Sequence, residues 1–263
     1  MKEKYDKIGV KNNATRKADP FLAERLFYHL KPQKGLTYLD IGCGTGNYTI
    51  ALNHKGINFI GIEPSDEMLK IAKSKSNNID WQKGKVEHIP IKDNFFHGAI
   101  ATLTTHHWKS LSKGFEELFR VLKAEATLLI FTSTPKQMSG YWLNHYFPKM
   151  LKESMMQMPK LDLVEESLKN AGFEISTMEK YFVKSDLKDL FLYAGKHNPE
   201  LYLDEKIRYG ISSFSSLAHH AEVATGLERL KTDITSGKID EIIENHENTA
   251  GDYLYLVARK TPS

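Results

Sequence analysis

The 263-residue sequence has one cysteine, Cys43, no long apolar run and almost no excess of charge of either sign. A single cysteine excludes an internal disulfide framework and any multi-cysteine zinc site, and it fits a reducing compartment. The longest apolar runs, such as Ala126 to Phe131, are strand-sized. They fall far short of the roughly 20 residues that span a bilayer. Lys and Arg number 36 against 33 Asp and Glu, a balance too even to suggest a polyanion partner. The opening residues, Met1 to Asp6, carry no apolar stretch of the secretory kind. These absences predict a cytoplasmic protein with neither a membrane nor a nucleic-acid partner; they leave the oligomeric state open. What is present is a 41% hydrophobic fraction, enough to bury a core.

Short apolar runs alternate with helical periods over the first half. Leu36–Ile41, Ile57–Ile62, Ile79–Gln82, Phe95–Leu103 and Ala126–Thr132 read as strands. Their near-continuous apolar character is that of a parallel sheet covered on both faces. Between them, Ser65 caps a helix with Asp66 and Glu67 in its first turn. Leu111, Phe115, Leu118, Phe119 and Leu122 share a helical face. Repeated strand–helix–strand units predict a doubly wound α/β sheet, mostly parallel, with helices on both faces. Beyond Pro135, residues 138–159 are rich in aromatics and Met and read as a lid or connecting segment. Asp162-x-x-Glu165 resembles a capping box, and 173–183 and 252–258 read as strands. The roughly 65 residues between those strands are too many for a structureless loop. Leu187, Leu190, Phe191 and Ala194, then Ile207, Ile211, Phe214 and Leu217, give them helical patterns. The expected organisation is an N-terminal lid and helix over 1–34, a ligand-binding α/β domain over 35–183 and 251–263, and a helical cap insertion over 184–250.

The most informative stretch is Leu39-Asp40-Ile41-Gly42-Cys43-Gly44-Thr45-Gly46-Asn47. Three alternating glycines between a strand and a helix let a ligand lie against the backbone. The turn stands at a strand's carboxyl end, where such sheets bind ligands. The second strand ends in Glu63, whose carboxylate can accept from both hydroxyls of a ribose. G-x-G-x-G is not the G-x-G-x-x-G dinucleotide fingerprint. Asp40, two residues before Gly42, disfavours a pyrophosphate and suits a cationic ligand.

This segment resembles motif I of the class I S-adenosylmethionine-dependent methyltransferases. Gly61-Ile62-Glu63-Pro64-Ser65-x-x-Met68-Leu69, Gly84-Lys85-Val86-Glu87-His88-Ile89-Pro90 and Thr104-Thr105-His106-His107-Trp108 are similar to that family's later segments, in order, over residues 35–132. The resemblance implies a Rossmann-like sheet of seven strands and S-adenosylmethionine as cofactor, leaving as S-adenosylhomocysteine. By resemblance, Gly42, Gly44 and Gly46 line the amino-acid part of the cofactor, and Asp40 lies near its ammonium. Glu63 holds the ribose, Val86 and Glu87 lie at the adenine, and Leu103 passes the methionine moiety. Lys85 stands where the family has an acid and cannot accept from the adenine amino group. Tyr5 and Arg16 resemble a lead-in that closes over the cofactor.

His106 and His107, after the fourth strand, are the candidate general bases, with His106 preferred. Tyr141 and His145 are candidate substrate or lid residues, in an aromatic stretch of a kind that more often packs a core. His219-His220 lacks metal-ligand spacing, and no metal is expected. Cys43 reads as a packing residue. The leading function is methyl transfer to a small-molecule acceptor by in-line displacement. A nicotinamide-dependent dehydrogenase and a non-catalytic cofactor-binding regulatory module stay open as alternatives.

Overall fold

The computed structural model describes residues 15–247 and 249–262. Seven strands form one sheet in the order β3-β2-β1-β4-β5-β7-β6. They are β1 (Thr37–Ile41), β2 (Asn58–Glu63), β3 (Asp80–Lys83), β4 (Phe96–Thr102), β5 (Leu122–Thr132), β6 (Phe173–Tyr181) and β7 (Tyr253–Lys260). The first five run parallel, and β7 inserts antiparallel to both β5 and β6. The expected doubly wound, mostly parallel sheet is therefore present, with one reversed strand that closes it.

Local chemistry sets the helix starts. In α1 (Pro20–Leu30), Asp19 accepts from Leu22 N at 2.9 Å ahead of Pro20, whose missing N–H costs nothing there. The Gly-rich turn leads into α2 (Asn47–Asn53). Ser65 caps α3 (Asp66–Lys75) through Met68 N, as the sequence predicts. Ser110 caps α4 (Leu111–Val121), which buries Phe115, Leu118 and Val121. The capping box is elsewhere than expected. Thr134 and Gln137 form one at α5 (Pro135–Met138), whereas the helix at Asp162 begins one residue earlier, after Lys160. Asp162 then sits inside the first turn of α8 (Leu161–Asn170), where an acid meets the positive end of the helix.

Alternate residues of each strand feed two cores. Leu39, Ile41, Ile60, Ile62, Leu128 and Leu256 meet α4 and α8 on one face. Tyr38, Phe59, Ile100, Leu129, Phe131 and Tyr255 meet α1 and α2 on the other. That second core continues without a break into residues 138–151 and 187–242. It includes α6 (Leu143–Tyr146) and α7 (Pro148–Gln157). It also takes in α9 (Glu205–Gly210), α10 (Ser212–Ser216), α11 (His220–Ser236) and α12 (Lys238–Glu244).

Residues 138–159 are thus helical and largely interior, with Tyr141, Trp142 and Phe147 fully buried. The stretch around Leu187–Ala194 forms turns, although Leu187, Phe191 and Ala194 are buried as their spacing suggests. The Ile207–Leu217 pattern is split, because Ile211 is extended and divides α9 from α10. Polar contacts tie 135–157 to the later helices: Tyr146 Oη donates to Asp233, Trp142 Nε1 to Lys196 O, and Lys149 N and Met150 N to Glu222. The helices on either side of residue 184 therefore pack as one layer. Among the described residues no helix is long and apolar enough to cross a membrane.

Gly226 is where α11 crosses this layer. A Cβ there would lie 2.6 Å from Phe147 Cε1 and 2.6 Å from the Tyr146 carbonyl oxygen. Helix propensity alone would make Gly226→Ala stabilising by about 1 kcal/mol. Overpacking against a buried ring and a fixed carbonyl reverses the sign, and we expect a net loss of about 1–3 kcal/mol in urea unfolding. A gain would show that α11 is not seated on Phe147.

Candidate functional site

A cavity of about 290 Å³ opens at the carboxyl ends of β1, β2, β4 and β5. Its sheet side carries Asp40, Gly42, Gly44, Glu63, Val86, Glu87, Leu103, His106 and His107, so the sequence-predicted residues largely converge. Arg16 and Tyr141 line it as well.

The three glycines serve different ends. Gly42 has φ +70°, and a Cβ would lie 2.0 Å from Thr104 Oγ1. Gly46 has φ +77° and does not line the cavity; its missing Cβ makes room for the Trp81 ring, 2.4 Å from where that atom would stand. Gly44 alone presents an open face to the cavity, with only Met68 Sδ at 3.8 Å. Leu103 also takes a left-handed backbone, φ +51°, anchored by its N–H donating to Phe131 O at 2.8 Å. Such strain in a non-glycine residue survives only where the surroundings fix it.

Two carboxylates are buried at neighbouring strand ends. Glu63 Oε2 accepts from Gly44 N at 3.1 Å and Oε1 from Ser65 N at 3.0 Å. Asp40 Oδ2 accepts from Thr49 Oγ1 at 2.6 Å. Burial, with a smaller contribution from Glu63, pushes the Asp40 carboxyl up to about 7 against the lowering effect of Thr49. Burial likewise pushes the Cys43 thiol up, which keeps it neutral and suits its packing role.

At the other sheet-side wall, Val86 is buried. Glu87 Oε1 accepts from Lys109 N at 2.6 Å, which orients this side chain and leaves Oε2 for a ligand. Lys85 lines the cavity beside them. His106 and His107 stand in a short 3-10 turn, their ring centroids 3.7 Å apart. His106 is half-buried and His107 exposed.

Arg16 is held by Asp189, Nε at 2.5 Å from Oδ1 and Nη2 at 3.2 Å from Oδ2. Tyr48 Oη donates to the same carboxylate at 3.0 Å. Asn47 Nδ2 donates to Arg16 O. Tyr141 is fully buried, its hydroxyl donating to Asp252 O at 2.5 Å. Tyr5 lies outside the described residues. His145 is a correction: it does not line the cavity but meets Arg229 at 2.8 Å on the outer side, where burial and that cation lower its pKa. Being next to the buried Tyr146 does not turn it inward. His219 meets Glu153 at 2.8 Å, and among the described residues no three His, Cys, Asp or Glu gather as a metal site.

Sequence reasoning missed Asp189, Tyr48, Phe191 and Tyr253 as lining residues. Asp189 had a readable signal, an acid among Leu187, Leu190 and Phe191 that must be paired if that run is buried. The others reach the cavity through tertiary packing alone.

A family model described as a methyltransferase domain matches residues 39–130. A solved protein of Anabaena variabilis, provisionally named a methyltransferase from an antibiotic biosynthesis pathway, is 32% identical, with a TM-score of 0.81. The match covers 92% of this chain and 98% of that one. Demethylmenaquinone methyltransferase of Chlorobaculum tepidum is 27% identical over 58% of this chain and 71% of its own length. Geranyl diphosphate C-methyltransferase of Streptomyces coelicolor, solved with S-adenosyl-L-homocysteine, shares the fold at 14% identity, with a TM-score of 0.59 over 92% of this chain and 76% of that one.

Asp40 gives the site a titration that can be read from stability. Its folded pKa of about 7 lies above the ordinary 3.8, so between those values the folded state holds the proton more tightly. Unfolding free energy from this group therefore falls as pH rises from about 4 to about 7, and is flat outside that window. In urea unfolding, the free energy of wild type minus that of Asp40→Asn should show that fall from about pH 4 to about pH 7. A wild-type-minus-variant value that rises with pH would mean that Asp40 is held ionised.

Proposed function

The chain belongs to the class I S-adenosylmethionine-dependent methyltransferases, and we propose that it methylates a small-molecule acceptor that enters the cavity beneath the helical layer. The observation that carries the reading is the pair of buried carboxylates, Asp40 and Glu63, fixed around an open glycine at one end of that cavity. The donor set fits the cofactor. Asp40, reluctant to ionise alone, gains a partner in an ammonium or sulfonium, and binding a cation favours its charged form. Glu63 is oriented by a backbone N–H at each carboxylate oxygen and lines the cavity, and we assign it to accept from the ribose hydroxyls. Gly44 gives the amino-acid part close access to the backbone, and the apolar Val86 offers a surface for the adenine. With Lys85 in place of an acid, recognition of the adenine amino group falls to Glu87 Oε2 or to backbone carbonyls.

The bound cofactor supplies a methyl group on a sulfonium, a good leaving group for in-line displacement. The protein's own part is chiefly to hold the two reactants in line, which can supply up to about 7–11 kcal/mol of the barrier. Leu103, in its constrained backbone, shapes the wall where β4 ends. His106 is the residue we assign to take a proton from the acceptor, with the His107 ring tilted against it. The layer formed by 135–157 and 184–250 acts as the cap that shapes the acceptor end and keeps out water. Arg16, fixed to Asp189, belongs to the rim that closes over the cofactor.

Calorimetry with S-adenosylmethionine and with NADH tests the premise: we expect one site for the first and none for the second. Glu63→Gln should weaken S-adenosylhomocysteine binding by about 1.5–3 kcal/mol through lost charged hydrogen bonds. Undiminished affinity would remove the ribose role. Once an acceptor is found by following S-adenosylhomocysteine release from a metabolite panel, His106→Gln should lower kcat by roughly 10²–10⁴ with little change in cofactor affinity. An unchanged kcat would leave positioning as the whole of catalysis.

A further inference from the structure

The cap side of the cavity differs in chemistry from the sheet side. Met138, Phe191, Leu192, Ile211, Leu217 and Tyr253 make its walls apolar and aromatic. The Phe191 and Tyr253 rings meet edge to face, their centroids 4.7 Å apart at 61°, and both line the cavity. Arg16 is the one cation among the described residues of this side, and its charge is committed to Asp189, which is 1% exposed and engaged at both oxygens. The polar groups left over are neutral. Ser154 on α7 and Ser213 on α10 are 5% and 7% exposed, line the cavity and share one hydrogen bond of 2.8 Å, Ser154 donating. That bond uses one of the two hydroxyl protons; the Ser213 proton and several lone pairs are left to face the cavity.

We propose that this chamber takes a neutral, flat, largely apolar acceptor and anchors it by an uncharged oxygen at the Ser154–Ser213 pair. The inference rests on the methyltransferase reading of the sheet side and narrows it to a substrate class. A carboxylate or phosphate acceptor would have to compete with Asp189 for Arg16. An ammonium acceptor would find Asp189 already engaged by Arg16 and Tyr48. With no spare charge among the described residues of the cap side, either kind of ion loses hydration that is not replaced. A neutral hydroxyl or carbonyl oxygen completes the serine pair at no such cost. Because the two serines stand on different cap helices, an oxygen bound between them also registers the acceptor against the cap.

The test is a ligand ladder on the full chain saturated with S-adenosylhomocysteine, followed by NMR titration. Naphthalene, 1-naphthol, 1-naphthoate and 1-naphthylmethylammonium share one ring system and differ in one group. We expect 1-naphthol to bind tightest, by at least about tenfold over either ion. Ser213→Ala should bring 1-naphthol down towards naphthalene. Asp189→Asn, which frees Arg16, should shift the preference towards 1-naphthoate. An ion that equals or exceeds 1-naphthol in the wild type, or failure of all four to bind, overturns the inference without recourse to the variants. The affinity for S-adenosylhomocysteine is measured on the same protein before saturation. Its loss would strike the methyltransferase reading, whereas normal affinity with an inverted ladder strikes only the acceptor class.

Discussion

Two carboxylates buried at the ends of adjacent parallel strands are the constraint on which the site is built. A carboxylate taken out of water is costly unless donors replace the lost hydration. Glu63 meets that demand with two backbone N–H groups, one from Gly44 in the glycine turn and one from Ser65 at the start of α3. The turn and the helix start are thereby locked to the end of β2. Asp40 has a single side-chain donor, Thr49, one turn into α2. It is consequently under-compensated, with a carboxyl held near neutrality until a cation arrives. The glycines follow from the same geometry. The chain must leave β1, pass Thr104 at Gly42 and clear Trp81 at Gly46 within five residues, and any side chain at either point would collide.

The sheet side was largely legible in the sequence, for a physical reason. Each of its determinants is local: a run of apolar residues, a left-handed position that calls for glycine, an acid at a strand end. Ser65 as a cap and the buried stripe of α4 were readable in the same way. The cap side was less so. Leu187, Phe191 and Ala194 have helical spacing, yet their segment folds as turns. Asp189 within it accepts from Arg16 and Tyr48, far away in sequence, and holds the backbone in another path. Ile211 has the right spacing for one long helix, but it is extended and divides two short ones. His145 looked like a lid residue because of its aromatic neighbours, while the side of α6 that it occupies faces Arg229. Periodicity reports which residues are buried better than it reports what they are buried against.

The cap is not a separate body resting on the sheet. Phe131 on β5 and Tyr253 and Tyr255 on β7 belong to the same apolar core as Tyr146, Phe147, Leu230 and Ile242. The reversed β7 is what makes this possible. It returns the chain from the helical layer into the sheet, between β5 and the edge strand β6, and carries two tyrosines onto the cap-facing side. Close packing transmits small displacements. A change among the cap helices is therefore felt at Tyr253, which lines the cavity, without any hinge between two units.

The cavity thus joins two opposite electrostatic solutions. The sheet side holds acids in excess of their donors and is completed by a cationic ligand. Among the described residues of the cap side the one cation is already paired, and the remaining polar groups are neutral. Transfer of a methyl group from a sulfonium to a neutral nucleophile moves positive charge from the first region towards the second. The described residues of the cap side have no spare anion to hold that charge, so on the proposed reading the acceptor's proton leaves as the new bond forms. Arg16 cannot accept a proton, and burial keeps the Tyr141 and Tyr253 hydroxyls protonated. Imidazole is the side chain at the cavity whose ordinary pKa suits proton uptake near neutrality, and His106 and His107 provide it at the end of β4. The charge neutrality of the cap side is thus itself an argument for a histidine at the junction of the two regions.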